Sequence, residues 1–316
     1  MRPMKLTLVV PLYNEEESLV ELYSRMGAAL DATDMDWEVL FIDDGSTDGS
    51  LEVLRRLHAE HSNVTVLSFG RNLGKAAGLA LGFREATGDI VVTMDADLQD
   101  DPAEIPKMVA LIEEGYDLVS GWKKERHDPL SKRLPSKVFN GVTAAVSGLR
   151  LHDMNCGLKA YRRVVVKTIR VYGELHRYTP VLAHWSGFRV TEVPVRHHAR
   201  EFGVSKYGLE RFMRGFFDLV TVLFLHRYVT RPLHLFGMVG SVLFLGGFVI
   251  GAYLTVVKIM GGSIGRRPLL TLGILLMVVG VQFVSLGLLG EMMANIRGGE
   301  ADYPVRIRLE AEEDGR

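Results

Sequence analysis

The stretch VVTMDADLQDDP, residues 91–102, passes from a run of apolar and β-branched residues to a cluster of aspartates. Val91–Met94 has the composition of a buried strand. Asp95 and Asp97 are two residues apart, so on an extended chain their carboxylates point to the same side, where they repel each other unless they share a cation. Together with the amide oxygen of Gln99, they form an oxygen shell of the kind that suits Mg²⁺ or Mn²⁺.

Two further aspartates, Asp100 and Asp101, stand directly before Pro102. Aspartate is favoured at the N-cap of a helix and proline in its first turn. We therefore expect both aspartates to cap the next helix.

Short β-rich runs alternate with helical patterns through the first 120 residues of the chain. This alternation is typical of an α/β fold with a mostly parallel sheet and helices on both faces, in which ligands bind at the carboxyl ends of the strands. The predicted strands are Lys5–Val10, Trp37–Ile42, Val64–Ser68, Ile90–Met94 and Leu118–Ser120, and the predicted helices are Glu16–Leu30, Ser50–His61, Leu73–Ala86 and Ala103–Glu114.

The ends of the predicted strands are polar, but they lack the common nucleotide-binding motifs. No G-x-G-x-x-G follows the first strand and no G-x-x-x-x-G-K-[ST] occurs in the chain, which disfavours a Rossmann dinucleotide site and a P-loop. The second strand ends in DDGSTDGS, which predicts a turn followed by a helix with Ser46 or Thr47 as its N-cap. A cap does not account for the adjacent carboxylates of Asp43 and Asp44.

Composition limits the partners and the compartment. The 316 residues contain 37 Lys and Arg against 38 Asp and Glu, a net charge of -1, so we expect no nucleic-acid partner. The single cysteine, Cys156, excludes an internal disulfide, and no partner pattern supports a catalytic thiol, so we expect it to be packed. Pro11 and Glu15–Glu17 interrupt the N-terminal apolar run, which is predicted to be a strand and not a signal peptide. His197 and His198 are adjacent on a predicted strand and would face opposite ways, which makes a poor metal pair.

Two apolar runs near the C-terminus, Leu233–Val257 and Leu269–Gly290, each reach the roughly 20 residues that cross a hydrocarbon core. We predict two transmembrane helices. The alternative, a pair of buried helices in a soluble domain, is disfavoured because neither run has a polar face. The segment GFVIG contains Gly247 and Gly251 at the spacing of close helix–helix contacts. Two spans place both chain ends on one side, which we expect to be the cytoplasm.

The segments that flank the spans are amphipathic. Gly208–Phe224 has apolar residues at helical spacing, which predicts an interfacial helix on the inner leaflet, with a core-facing helix as the alternative. Tyr303–Leu309 alternates apolar and charged residues, which predicts a strand against the domain or a neighbouring subunit, or else a disordered acidic end. The tail and the glycine-rich spans are compatible with a homo-oligomer.

In this order, VVPLYNEEE, DDGSTDGS, GRNLGKAAGLALGF and DADLQDDP resemble the catalytic domain of glycosyltransferase family 2, which has the glycosyltransferase-A fold. The later segments LHDMNCGLKAY and REFGVSKYG, followed by two spans, resemble the polyprenyl-phosphate branch of that family, which includes dolichol-phosphate mannosyltransferases and undecaprenyl-phosphate glucosyltransferases. The resemblance implies a Rossmann-like catalytic domain at 1–204, an interfacial region at 205–231, a transmembrane hairpin at 232–291 and a cytoplasmic tail at 292–316.

The resemblance also implies roles for individual residues. Asp95 and Asp97 match the D-x-D element of the family, and Gln99 adds a metal ligand. Asp153 resembles the aspartate that faces the reacting centre, and capping of the local turn is its alternative role. The implied contacts of the nucleotide-sugar are Pro11, Tyr13, Glu15, Asp44, Lys75, Asp95, Arg200 and Lys206. The implied contacts of the lipid phosphate are Arg126, Ser136 and either Lys132 or Arg133.

The expected function is an inverting transfer of one sugar, dependent on Mg²⁺ or Mn²⁺, from a nucleotide-sugar of the GDP-mannose or UDP-glucose type. The expected acceptor is a dolichyl or undecaprenyl phosphate at the cytoplasmic face of the inner or plasma membrane. The chain lacks the Q-x-x-R-W motif that processive synthases carry, which favours transfer of a single sugar. Two alternatives stay open: a transferase that uses another lipid or glycan acceptor, and a catalytically inactive membrane scaffold.

Overall fold

The computed structural model describes residues 4–31, 33, 35–124, 141, 143, 144, 147–173, 175–198, 232–263 and 268–298. The chain divides into two compact units, Met1–Leu219 and Val220–Arg316. The first contains the predicted α/β domain, and the second contains the two long apolar helices.

A seven-stranded sheet with the order β3-β2-β1-β4-β6-β5-β7 forms the centre of the first unit. The strands are β1 (Lys5–Leu12), β2 (Asp36–Asp43), β3 (Val64–Ser68), β4 (Ile90–Thr93), β5 (Leu118–Lys123), β6 (Lys159–Arg162) and β7 (Val190–Val195). The helices are α1 (Leu19–Leu30), α2 (Ser50–Glu60), α3 (Lys75–Glu85), α4 (Ile105–Glu113), α5 (Arg163–Thr168) and α6 (Thr179–Trp185).

The pairing is mostly parallel, as predicted. β1 lies between β2 and β4, β2 pairs with β3, and β5 pairs with β7, all in parallel. β6 is antiparallel to both β4 and β5, and it joins the two parallel groups into one sheet. The carboxyl ends of β1, β2, β3 and β4 therefore meet at one edge, where the polar segments of the sequence gather.

The two faces of the sheet carry separate parts of the core because alternate strand residues point to opposite sides. Leu8 and Val10 of β1 pack with buried residues of α1, α2 and α4. Val9 packs on the other face with residues of α3, α5 and α6. This three-layer arrangement confirms the predicted α/β fold class.

The structure corrects three local predictions. The helix after DDGSTDGS begins at Ser50 with Gly49 as its N-cap, and Ser46 instead accepts a hydrogen bond of 2.9 Å from the Asn14 amide. Asp101 caps the turn that begins at Pro102, as predicted, but Asp100 is buried and forms an ion pair with Lys123. β7 ends at Val195, so the histidine pair follows the strand, and its first member forms an isolated antiparallel bridge to Asp100.

The second unit contains α7 (Pro232–Ile259) and α8 (Pro268–Gly298), which are long and apolar enough to cross a membrane. Only 11% and 17% of their most apolar windows are buried, so among the described residues most of this apolar surface has no protein cover. A core helix of a soluble domain would be mostly covered. The pair is therefore a candidate transmembrane hairpin, as the sequence predicts.

Glycines form the contact between α7 and α8. A Cβ on Gly247 would lie 2.5 Å from the carbonyl oxygen of Gly273, and a Cβ on Gly240 would lie 2.6 Å from that of Gly280. Gly251, by contrast, has no neighbouring atom within 4 Å. Of the two glycines in GFVIG, only the first packs between the helices.

Candidate functional site

Asp95 follows β4 at the carboxyl edge of the sheet, and its carboxylate pairs with a lysine side chain. The ammonium of Lys75, the first residue of α3, forms an ion pair with Asp95 Oδ1. The side chains of Lys75 and Asp95 are 36% and 34% exposed, so the pair is accessible from solvent. Burial raises the pKa of Asp95, but Lys75 outweighs it, and the net shift is downward. Asp95 is therefore an ionised carboxylate with a positive partner at the predicted metal position.

Gly157 leaves the space into which this carboxylate fits. A Cβ at Gly157 would lie 2.7 Å from Oδ2 of Asp95 and 3.0 Å from Oδ2 of Asp100. The carbonyl oxygen of Gly157 accepts a hydrogen bond of 2.9 Å from the Thr93 hydroxyl, which fixes its backbone beside β4. Only glycine leaves room for both carboxylates at this point.

The backbone of the loop after Asp95 has an unusual conformation. Leu98 has φ 59°, in the left-handed region that bulky side chains rarely adopt, and its side chain is 1% exposed in the core. Asp97 Oδ1 accepts a hydrogen bond of 3.3 Å from the backbone amide of Gln99. The backbone carbonyl of Gln99 accepts one of 2.8 Å from the backbone amide of His198. Both contacts hold the turn that presents Asp97 and Gln99.

These residues fit a hard divalent cation. Asp95 already pairs with the ammonium of Lys75. Gly157 has no side chain and so leaves room for the Asp95 carboxylate. In the described ranges no three His, Cys, Asp or Glu side chains converge on one point. This loop would thus supply two carboxylates and the Gln99 amide, and oxygen atoms of a substrate would complete the coordination.

The adjacent carboxylates that close β2 bind the neighbouring loops. Asp43 accepts hydrogen bonds from the Ser46 amide at 3.0 Å and the Ser68 hydroxyl at 2.6 Å. Asp44 accepts bonds from the amides of Leu73 at 2.7 Å and Gly74 at 2.9 Å. These contacts account for the paired aspartates that helix capping left unexplained. The predicted contact of Asp44 with the nucleotide-sugar stays a prediction.

The loop after β1 is tied to the loop after β2. Asn14, with φ 58°, accepts a hydrogen bond of 2.8 Å from the Thr47 amide, and the Glu15 amide donates one of 2.9 Å to the Ser50 hydroxyl. Tyr13 stays 37% exposed beside them. Pro11 is buried nearer the sheet and lines the same cavity as Lys75 and Asp95. The structure thus brings six of the predicted nucleotide-sugar contacts to the carboxyl edge of the sheet: Pro11, Tyr13, Glu15, Asp44, Lys75 and Asp95.

Asp153 lies in a loop that β5 and β7 hold in place. Its carboxylate is buried, and Oδ1 accepts a hydrogen bond of 3.1 Å from the Asn155 amide, as in a local turn cap. Glu192 of β7 accepts a hydrogen bond from the backbone amide of His152, and its carboxylate also contacts the ring of His152. Trp122 of β5 stacks on that ring, with the ring centroids 4.2 Å apart. The turn-cap role is thus present, and the predicted role at the reacting centre stays a prediction.

A cavity of about 20 Å³ lies beside Asp95, and two of the residues that line it, Lys159 and His176, were not predicted from the sequence. Lys159 is 4% exposed, its ammonium donates to the Cys156 carbonyl, and burial lowers its pKa. Burial and the nearby Lys75 lower the pKa of His176 to about 3, so its ring is neutral near pH 7. Its Nδ1 is buried without a hydrogen-bond partner among the described residues. A buried lysine gives no pattern that distinguishes it from surface lysines in the sequence.

Cys156 is packed, as predicted. Its side chain is 1% exposed, and burial raises the pKa of the thiol to about 12. A protonated, covered thiol is a poor nucleophile.

Several predicted residues lie outside the described residues. These are the lipid-phosphate set Arg126, Lys132, Arg133 and Ser136, the donor contacts Arg200 and Lys206, the interfacial helix and the tail. The structure nevertheless shows where two of these segments attach. Lys123 ends β5 just before residues 125–140, and His198 precedes residues 199–231.

Comparisons with known proteins give a matching family model and similar relatives. The family model described as "Glycosyl transferase family 2" matches residues 7–170. A dodecaprenyl-phosphate galacturonate synthase of Rhizobium johnstonii is 40% identical over 300 residues, which cover 93% of this chain and 89% of that protein. An undecaprenyl-phosphate 4-deoxy-4-formamido-L-arabinose transferase of Salmonella paratyphi A is 38% identical over 295 residues, which cover 92% and 89%.

Solved structures are similar in fold. Glucosyl-3-phosphoglycerate synthase from Mycobacterium tuberculosis, in complex with Mn²⁺ and UDP-glucose, superposes with a TM-score of 0.53. The match covers 71% of this chain and 79% of that chain at 19% sequence identity. At this identity the similarity concerns the fold alone.

Proposed function

The chain belongs to glycosyl transferase family 2, and we propose that it transfers one sugar from a nucleotide-sugar to a polyprenyl phosphate at a membrane surface. The observation that carries the proposal is Asp95, an accessible carboxylate at the carboxyl end of β4 that pairs with the ammonium of Lys75. The relatives named above support the acceptor, because both are named for a polyprenyl phosphate and align along almost the whole chain.

The proposed reaction is a single displacement. An oxygen of the acceptor phosphate forms a bond to the anomeric carbon while the bond from that carbon to the diphosphate breaks, and the nucleoside diphosphate leaves. The configuration at the sugar carbon is thereby inverted. Because a phosphate monoester is ionised near neutral pH, the acceptor needs positioning and desolvation and no strong general base.

The protein supplies positive charge where the leaving group becomes more negative. A divalent cation, Mg²⁺ or Mn²⁺, held by Asp95, Asp97 and Gln99 would neutralise the departing diphosphate. Lys75 places an ammonium at the same edge of the sheet, where it is available to the diphosphate oxygens. Asp153, held by its loop, is suited to orient the sugar or to stabilise positive charge on its ring.

The membrane unit fits a lipid acceptor. Two spans put the ends of the hairpin on one side of the bilayer, and we propose that this side is the cytoplasm, where nucleotide-sugars are made. The basic segment of 125–140 and the amphipathic segment of 205–231 are proposed to bring the lipid phosphate to the catalytic edge.

A donor panel tests the proposal. The full-length protein in detergent is incubated with undecaprenyl phosphate, Mg²⁺ or Mn²⁺, and each of UDP-glucose, GDP-mannose and UDP-galacturonate. We expect one donor to give a glycosylated lipid, and chelation by EDTA to abolish the product. No glycolipid from any donor would contradict the proposal.

The alternative of an inactive scaffold is tested by Asp97→Ala. Loss of an oxyanion-stabilising interaction costs about 10²–10³ in turnover, and we expect a loss of this size. Asp36→Ala, at the exposed start of β2, is the matched control and should keep full activity. Equal turnover by the two variants would contradict the assignment of Asp97 as a metal ligand.

A further inference from the structure

The proposed mechanism does not use Asp100, although its carboxylate is among the most deeply buried charged groups of the domain. The side chain of Asp100 is 1% exposed. Its Oδ1 lies 3.2 Å from the Lys123 ammonium and 3.5 Å from His197 Nδ1. Neither oxygen receives a well-aligned hydrogen bond from the described residues, so charge and packing hold it.

These contacts connect three chain segments at one point. Lys123 is the last residue of β5, His197 follows β7, and Asp100 belongs to the loop after β4. The backbones of Asp100 and His197 form an antiparallel bridge, and the Gln99 carbonyl accepts a hydrogen bond of 2.8 Å from the His198 amide. The loop that carries the candidate metal ligands is thus attached to the ends of two strands.

The loop needs such attachment because its backbone is strained. The left-handed conformation brings the Cβ of any residue other than glycine close to a carbonyl oxygen, and Leu98 adopts this conformation between Asp97 and Gln99. Strained conformations persist only where the surroundings enforce them. The buried side chain of Leu98 anchors the middle of the loop in the core. Asp100, at the end of the loop, anchors it to Lys123 and His197.

We propose that Asp100 is a positioning residue: through Lys123 and His197 it holds the Asp95–Gln99 loop in the shape that binds the metal. The inference rests on the proposed metal-binding role of that loop. Partners in the outer shell of a metal site commonly contribute about 10- to 100-fold to metal affinity by fixing the ligands.

A simpler role for Asp100 is to neutralise Lys123. Removing one partner of a buried ion pair is destabilising, whereas removing both is often tolerated. Asp100→Asn combined with Lys123→Met removes both charges, keeps the wild-type net charge near the metal ligands, and removes the ionic anchor. The double variant therefore separates loop positioning from charge balance.

The test measures Mn²⁺ affinity by electron paramagnetic resonance, with and without UDP or GDP, and the thermal unfolding midpoint of the full-length protein. Variants are Asp100→Asn, the double variant and Asp117→Asn. Asp117 is the matched control: it pairs with Arg162 at 3.6 Å and accepts a bond of 2.8 Å from the Arg189 amide, but it precedes β5 at the opposite edge.

We expect Asp100→Asn to lower both the unfolding midpoint and the Mn²⁺ affinity. In the double variant the midpoint should recover while the affinity stays about 10- to 100-fold weaker than wild type. Asp117→Asn should lower the midpoint alone. If the double variant bound Mn²⁺ within about twofold of wild type, Asp100 would be only a counter-charge for Lys123 and the proposal would be overturned. Absence of Mn²⁺ binding by the wild-type protein would instead remove the proposed metal site, and the proposal with it.

Discussion

Asp95 and Asp100 lie close together because each has a positive partner of its own. Asp95 pairs with Lys75 from α3, and Asp100 pairs with Lys123 from β5. Both carboxylates share the space beside Gly157. The first pair is exposed enough for exchange with a metal or substrate, whereas the second is buried and structural in character. The aspartate cluster thus combines a solvent-accessible ion pair with a buried one.

The sequence predicted the first half of this arrangement and missed the second. Asp95 and Asp97 are recognisable because they follow a buried strand at a two-residue spacing. The partner of Asp100 depends on the pairing of β5 with β6 and β7, which brings Lys123 next to the loop. Local capping rules apply to Asp101, but they say nothing about such a distant partner.

Gly157→Ala tests the cradle around the two carboxylates. The new Cβ would lie 2.7 Å from Asp95 Oδ2, so one or both carboxylates must move. We expect a stability loss of about 1–3 kcal/mol and a Mn²⁺ affinity about tenfold lower, measured by thermal unfolding and paramagnetic resonance. Gly27→Ala in α1 is the control, because the atom nearest to its new Cβ would be Asp31 Oδ2 at 3.4 Å, an ordinary contact distance. Unchanged Mn²⁺ binding in Gly157→Ala would contradict this assignment.

Cys156 allows a direct test of burial because it is the only cysteine in the chain. Its pKa is raised to about 12, so at pH 8 roughly one thiol in 10⁴ is ionised. We expect no reaction with a neutral thiol reagent in the native protein at pH 8 and complete reaction after denaturation. Rapid stoichiometric labelling of the native protein would show that the loop around Cys156 opens readily.

At the scale of elements, the periodic strands and helices of the first 120 residues were predictable. Their apolar residues recur at the period of each element, and their boundaries agree within a few residues with those of β1–β5 and α1–α4. β6 was missed because it is only four residues long and begins with the buried Lys159, so it shows no apolar alternation. Its antiparallel direction follows from tertiary contacts that no local pattern encodes.

The α7–α8 contact gives a matched pair of glycine substitutions. Gly247→Ala would place a Cβ 2.5 Å from the Gly273 carbonyl oxygen, whereas Gly251→Ala meets no atom within 4 Å. We expect the first to destabilise the hairpin by about 1–3 kcal/mol and the second to leave it unchanged. Titration with SDS in mild detergent, followed by circular dichroism, measures the difference. Equal effects would indicate that Gly247 does not pack between these helices.

At the scale of the whole molecule, the chain combines a family 2 catalytic domain with a candidate membrane hairpin. The family and the fold predicted from the motif order are confirmed. The lipid-phosphate contacts, the interfacial helix and the domain boundaries stay predictions. The sugar was not predictable, since selectivity depends on a few pocket contacts that no motif identifies.

The two-span topology predicts the positions of both termini. Reporter fusions at either terminus should behave as cytoplasmic, with a fluorescent protein bright and alkaline phosphatase inactive. A phosphatase inserted after Gly262, between α7 and α8, should be active and serves as the control. An active phosphatase at the C-terminus would contradict the predicted position of that terminus in the cytoplasm.

The acceptor that we propose is a lipid phosphate. The most direct test compares undecaprenyl phosphate with undecaprenol under the same donor, metal and detergent, using the full-length protein and measuring the initial rate of glycolipid formation. We expect product from the phosphate alone, because its ionised oxygen attacks without a general base and the alcohol cannot do so. Equal rates with the two lipids would show that the acceptor does not need its phosphate.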